Sequence, residues 1–383
     1  MEEYINSEYP DISYLRAKAK KRIPGFAFDY LDGGCNTEVN KRKNTEEIRE
    51  LELRPYYLRE LINPNMEVDL FGKKFSAPFG ISPIGLQGLM WPRATEILAK
   101  SAFDYNIPFI LSTVATASLE KVSEITEGNA WFQLYHPAEA DLRDDILDRA
   151  EAAGYPVLVL LSDVPSFGYR SKEIKNGLAI PPKMSLRNIL QIMGCPNWAI
   201  HTLLAGTPEF KTLKPYIPKG MSLKHLGQFM NRTFDGRLDE ERIKAIRDKW
   251  KGKLVLKGVT SEEDAEKCVK LGIDGIIVSN HGGRQLDHGE SAIKSLGPIV
   301  EKFRGQIKVM MDSGIQTGPD IASSLAAGAE FTFLGRSFMY GVAALGSRGG
   351  DHTISILKKQ LKQVMDQVCC ARPEDFPDFL IRE

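Results

Sequence analysis

The sequence predicts an α/β chain folded as a (β/α)8 TIM barrel, with an N-terminal helical cover and a long loop insertion after strand 4. Three observations carry that reading. Eight short apolar runs recur along the chain, segments with helix start and stop signals lie between them, and no Gly-x-Gly-x-x-Gly follows the first run. The last point weighs against a dinucleotide-binding sheet. The strand and helix alternation fits a closed parallel barrel better than a doubly wound one.

Taken in order, residues 1–74 precede the first run and are expected to form helices and a cover at the N-terminal side. The runs are FGISP (79–83), FILS (109–112), AWFQLY (130–135), VLVLLSD (157–163), KLVLKG (253–258), GIIVSN (275–280), VMMDSG (309–314) and FTFLGR (331–336). Each is apolar almost throughout, as strands buried on both faces require. Residues 260–272 read as a helix with a polar cap, acids in its first turn and Gly272 as its stop; 317–328 carry Pro319 in the first turn and end at Gly328; 141–154 end at Gly154. Residues 176–235 form the insertion, which includes KNGLAIPPKMSLRNIL and MGCPNWAIHTLL. Its place between strands four and five puts it on the face where βα loops build active sites, so a lid is expected. Its mix of apolar and basic residues also suits docking on a membrane surface. The whole chain, 1–383, reads as a single domain with the barrel over about 75–345.

Fifty basic and fifty acidic residues cancel, so no electrostatic reason exists to expect nucleic acid as a partner. The five cysteines, Cys35, Cys195, Cys268, Cys369 and Cys370, form no metal-binding spacing, and reduced thiols in a cytoplasmic setting are the simplest expectation. No metal site is expected. The opening MEEYINSEYP does not read as a signal peptide, and no run of 18 apolar residues occurs.

The strongest chemical signal is SNHGGRQLD, Ser279 to Asp287, at the end of a strand run. His281 can accept a proton near neutral pH, and Arg284 can grip a carboxylate with two hydrogen bonds. Gly282 and Gly283 allow a sharp turn and close approach of a ligand. A glycine-rich turn with a structural histidine is the plainer alternative.

SNHGGRQLD closely resembles the active-site signature of the FMN-dependent α-hydroxy-acid oxidase and dehydrogenase family. The resemblance spans essentially the whole chain, from FDYLDGG near the start to LGRSFMYG near the end. It implies FMN as cofactor and His281 as the base that takes a proton from the substrate while two electrons pass to the flavin. Asp163 in SDVP matches the aspartate that pairs with this histidine. Tyr30 in FDYLDGG and Arg284 match the carboxylate grip, Arg170 in FGYR matches a second arginine, and Tyr135 in FQLYHP matches the tyrosine that bonds the substrate hydroxyl.

For the cofactor, the resemblance points to Lys257 beside the flavin ring, where positive charge would stabilise the reduced anion. Gln133 and Ser112 match residues bonded to the ring, Pro83, Ile84 and Gly85 the backbone along its edge, and Ser279 a further contact. Asp312 belongs with Ser313 and Gly314 in the DSG string; the phosphate is expected over Ser313-Gly314 and Gly335-Arg336. Two positions depart from the family pattern. Leu161 stands where a threonine usually bonds the flavin, and Gln316 where an arginine commonly meets the phosphate. Both changes remove a polar contact, so weaker FMN retention is expected.

Gly85, where family oxidases often carry alanine, favours a dehydrogenase passing electrons to a quinone or other carrier, with O2 as the alternative acceptor. Val114 stands where some relatives have a bulky aromatic residue, which leaves room for L-lactate or a larger 2-hydroxy acid. The family suggests a homo-tetramer. Two rivals remain: another flavin barrel, such as a type 2 isopentenyl diphosphate isomerase, which needs no carboxylate grip, and a flavin-binding barrel that has lost catalysis.

Overall fold

The computed structural model describes residues 7–60, 63–178, 184–218, 233–234 and 238–381. Its centre is a ring of eight parallel strands: β3 (Phe79–Ile81), β4 (Ile110–Ser112), β5 (Trp131–Leu134), β6 (Val157–Leu161), β7 (Lys253–Val259), β8 (Gly275–Val278), β9 (Lys308–Met311) and β10 (Phe331–Leu334). They pair in the order β3-β10-β9-β8-β7-β6-β5-β4, and a parallel bridge from Ile81 to Phe109 brings the two ends together. Every one of the eight apolar runs supplies one strand.

Alternate side chains of these strands face opposite ways. Ile110, Val157, Val159, Val255, Ile277, Met310, Phe331 and Phe333 fill the barrel interior, while Leu158, Leu160, Leu254, Leu256 and Ile276 pack under the outer helices. The outer helices begin where the sequence provides a cap. Ser261 accepts from Asp264 N at the start of Glu262–Lys270, and Thr317 and Asp320 form a reciprocal capping box at the start of Gly318–Ala326.

The N-terminal segment divides into two structures with different places. Helices α1 (Ile12–Arg22), α2 (Gly25–Asp32) and α3 (Val39–Arg49) are followed by a hairpin of β1 (Val68–Leu70) and β2 (Lys73–Phe75). The hairpin plugs the N-terminal end of the barrel: Leu70 and Phe75 join the interior cluster, and Phe71 lies 5.7 Å from the Trp131 ring. The helices lie elsewhere. α1 packs along the helix Arg336–Leu345, and α2 and α3 meet the loops at the C-terminal mouth. The expected helical cover at the N-terminal side is therefore revised: a hairpin closes that end, and helices wall the opposite one. Short strands with exposed alternate residues gave too weak an apolar signal to read as a hairpin.

Within the predicted insertion, residues 179–183, 219–232 and 235 lie outside the described residues, so the lid expectation stands on the rest. Helix Leu186–Met193 is capped by Ser185, and Pro196–Ala205 starts with proline in its first turn. Trp198 anchors the pair at the mouth: its indole N–H reaches Leu89 O and Met90 O at 3.1 Å, and its ring meets Phe26 edge-on at 5.9 Å. Gln191 accepts from Phe26 N at 2.9 Å. The outward side of this pair is apolar, with Leu186, Leu190, Met193, Leu203 and Leu204 exposed.

Candidate active site

A cavity of about 2070 Å³ opens at the C-terminal ends of the barrel strands, larger than the roughly 300–1,000 Å³ that a single small ligand needs. Of the expected site residues, all but Asp163 and Ser279 line its wall. Those two stand immediately behind it.

His281 follows β8 with φ of +60°, a left-handed backbone conformation that histidine adopts more readily than most non-glycine residues. Three groups hold this turn. Ser279 Oγ accepts from His281 N at 3.1 Å, Ser313 Oγ accepts from Gly282 N at 2.9 Å, and Asn280 Oδ1 accepts from Gly283 N at 3.1 Å. The imidazole Nδ1 lies 3.1 Å from Asp163 Oδ1, just past β6. With Nδ1–H donating to the carboxylate, Nε2 keeps a lone pair for the cavity. Burial pushes the His281 imidazolium below its ordinary pKa, against the pull of Asp163. Burial alone would raise the Asp163 carboxyl, but the charges of His281 and Lys257 outweigh it and hold it below its ordinary value.

Around this pair stand the residues expected to hold an acid. Arg284 donates to Tyr30 O at 2.9 Å and Gly33 O at 3.0 Å, which fixes it against α2, and its guanidinium lies 5.2 Å from the Tyr30 ring. Burial and the nearby Arg170 lower its pKa to about 10. Arg170 reaches Gln285 Oε1 at 3.4 Å, while its buried Nε has no partner among the described residues. Tyr30 O–H reaches Gly85 O at 3.5 Å, and the Tyr135 ring packs 5.7 Å from Phe234. Burial raises both phenols, so they stay protonated.

The region expected to cradle the flavin is built around a buried ion pair. Lys257 Nζ, on β7, lies 3.1 Å from Asp312 Oδ2 and donates to Ser279 Oγ at 2.8 Å. Burial would lower the Lys257 ammonium, but Asp312 and Asp163 outweigh it and keep it above its ordinary value. Asp312 also accepts from Ser82 at 3.0 Å and Ser313 at 3.0 Å. Asp312 thus pairs with Lys257, and Ser313 Oγ accepts from Gly282 N in the His281 turn, while Ser313 and Gly314 also line the cavity where the phosphate is expected. Ser279 stands behind the same region, where its Oγ accepts from Lys257 at 2.8 Å and lies 3.4 Å from Ser313 Oγ.

The unmet donors test whether FMN fits. Among the described residues Gln133 Nε2 is buried with no partner, and so is Arg336 Nε. Arg336 otherwise donates to Gly33 O at 2.7 Å and Gly282 O at 3.0 Å, and it opens the helix Arg336–Leu345 behind Gly335. A helix N-terminus with an arginine suits a phosphate. A buried amide N–H and a buried cation suit ring acceptors. Pro83, Ile84, Gly85 and Ser112 line the wall between these groups without closing it. The set matches a ligand with polar ring atoms and a phosphate tail.

Of the two departures, Leu161 sits buried in the wall and offers no hydrogen bond, while Gln316 Nε2 turns to Thr45 Oγ1 at 3.2 Å. Gly314, at φ of +88°, touches α3: a Cβ there would fall 2.4 Å from Asn44 O.

Three contributions escaped the sequence reading. Gln285 ties the SNHGGRQLD turn to the loop after β6, donating to Asp163 O at 3.1 Å and Ser166 O at 2.9 Å. Asp287 holds the start of α3 through Thr37 N at 2.8 Å and Asn40 N at 3.2 Å. Glu173, on the short helix Ser171–Lys175, lies between the two arginines. An acid three residues after Arg170 was the available signal, since that spacing pairs side chains on a helix.

Comparison with known proteins follows the same line. A family model described as FMN-dependent dehydrogenase matches residues 19–383. The chain is 37% identical over 351 residues to an L-lactate dehydrogenase of Vibrio parahaemolyticus, covering 91% of this chain and 92% of that one. It is also 37% identical to an L-lactate dehydrogenase of Alcaligenes faecalis, covering 92% and 93%. Among solved structures it is similar to a monotopic membrane protein, (S)-mandelate dehydrogenase, with a TM-score of 0.93, 33% identity and coverage of 98% and 100%.

Proposed function

The chain belongs to the FMN-dependent dehydrogenase family and is an FMN-dependent oxidoreductase of L-2-hydroxy acids; within that activity we propose that His281 is the base, L-lactate the substrate and a quinone-type carrier the electron acceptor. The observation that carries the assignment of the base is the His281–Asp163 hydrogen bond at 3.1 Å, made through Nδ1 by a histidine that lines the same cavity as two arginines.

The substrate carboxylate binds at Arg284, with Arg170 and Tyr30 beside it. Tyr135 orients the hydroxyl. His281 Nε2 takes up a substrate proton, and Asp163 stabilises the imidazolium that results. Held neutral by burial at the start, the imidazole is ready to accept it. FMN, when bound, takes up the two electrons of the oxidation. Gln133 and Lys257 hold its ring side, and Gly335 and Arg336 its phosphate side. Lys257 is already protonated and buried, so its charge needs no rearrangement to meet negative charge on the ring.

Gly85, usual in the family's dehydrogenases, supports a carrier over O2. Among the described residues no helix is long and apolar enough to cross a membrane. The apolar outer side of Leu186–Met193 and Pro196–Ala205 supports peripheral docking at the inner face of a membrane, where a quinone is at hand. A homo-tetramer is the proposed assembly.

Anaerobic mixing with L-lactate tests the reading. The wild-type flavin bleaches, whereas His281→Gln keeps its FMN and stays oxidised. Bleaching of that variant at a near wild-type rate refutes the base. In air, peroxide released in step with lactate consumption refutes the carrier.

A further inference from the structure

The carboxylate grip already holds a carboxylate. Glu173 Oε1 accepts from Arg284 at 2.6 Å, and Glu173 Oε2 lies 3.5 Å from Arg170. The Glu173 side chain is only 13% exposed, and it lines the same cavity as His281, Tyr30 and Tyr135. The two guanidiniums are themselves largely buried, with side-chain exposures of 15% for Arg284 and 17% for Arg170. Without an anion between them, two buried like charges would repel each other across a poorly hydrated space.

We propose that Glu173 is a specificity-determining residue that sets the charge of the acid-binding site. Two guanidiniums and one carboxylate leave a single net positive charge, matched to a monocarboxylate such as lactate. A dianion entering the same site meets Glu173 at close range, and like charges in a desolvated site are strongly disfavoured. Glu173 thereby discriminates by repulsion, while Arg284 supplies the attraction. It also keeps the arginines paired when no acid is bound. The helix that carries it starts directly after Arg170, so the arginine and its neutralising acid are placed by one element.

This inference rests on Arg284 and Arg170 binding the substrate carboxylate, and the test separates failure of that premise from failure of the inference. Pyruvate and oxalate, one and two charges of similar size, are titrated into the FMN-loaded enzyme and read by the flavin absorbance. Glu173→Gln keeps the shape and removes the charge. The preference for oxalate over pyruvate should rise by about tenfold or more relative to wild type, and Glu173→Asp, which restores a carboxylate, should stay near the wild-type preference. A purely structural role would weaken both ligands together and leave their ratio unchanged; that result overturns the inference. If the glutamine variant does not retain flavin, Glu173→Ala carries the same expectation for the ratio. If neither ligand perturbs the wild-type flavin, the carboxylate site itself is misassigned.

Discussion

Replacing Asp163 with asparagine isolates the charge behind the base. The amide oxygen still accepts from His281 Nδ1, so the ring orientation survives while the negative charge goes. The partners are 3.1 Å apart, and the Asp163 side chain is 9% exposed. For unit charges about 4 Å apart at an effective dielectric of about 20, the attraction is about 4 kcal/mol. That interaction is absent while the imidazole is neutral and present once it carries the proton. If the transition state holds half to three quarters of that charge, the loss is about 2–3 kcal/mol, or roughly 30- to 150-fold in rate. The assay is anaerobic stopped-flow reduction of the flavin by saturating L-lactate. FMN content and the affinity for pyruvate should change little, because neither depends on the Asp163 charge through direct contact. The acid limb of kcat/KM supplies a second readout. Asp163 raises the His281 pKa against burial, so its removal should move that limb to still lower pH. Reduction within about threefold of wild type, with the acid limb unmoved, would refute the electrostatic role, since even half the expected term exceeds that change.

Other expectations follow from the same geometry. Gly258 has φ of +101°, and an added Cβ would lie 2.6 Å from Asp163 Cβ; Gly258→Ala should lower stability by about 2 kcal/mol or more and slow flavin reduction, checked by urea unfolding and stopped flow, and an unchanged midpoint would contradict it. Gln316→Arg should restore a charge-assisted phosphate contact worth about 1.5–3 kcal/mol and tighten FMN binding by about 10- to 150-fold, measured by titrating the apoprotein; a wild-type enzyme that already binds FMN tightly, or an unchanged constant, would count against the reasoning. Leu203 and Leu204 are 83% and 79% exposed, so changing both to glutamate should abolish co-sedimentation with lipid vesicles without changing flavin reduction by lactate; equal sedimentation of both proteins would exclude that face as the anchor.

What could be read in the sequence depended on how local the physics was. The barrel strands were legible because a strand buried on both faces must be apolar throughout, and VLVLLSD or GIIVSN satisfies that within a few residues. The helix starts at Ser261 and Thr317 were legible because a cap acts within three residues. His281, Arg284 and Asp163 were legible as members of a family signature, and their proximity, across 118 positions for the histidine and aspartate, came only with the fold. The targets of individual polar atoms were not legible. The DSG string invites a phosphate reading at Ser313-Gly314, but that Asp312 pairs with Lys257 and Ser313 Oγ holds the His281 turn came only with the fold. Glu173, in a lysine-rich helix, looks like an ordinary solvated acid until the barrel brings Arg284 against it.

The contact between Asp287 and the start of α3 has a consequence for how the enzyme comes into being. Thr37 and Asn40 meet a carboxylate about 250 positions later, Arg284 is held by Tyr30 O, and Arg336 by Gly33 O. The first helices emerge from the ribosome early, but their partners arrive only when most of the chain has been made. Such distant pairings are costly to close and slow to form. Competence should therefore appear in one late step: an incomplete chain can assemble strands, but it has no held arginine, no ordered histidine turn and no phosphate end until the beginning and the end of the polypeptide meet.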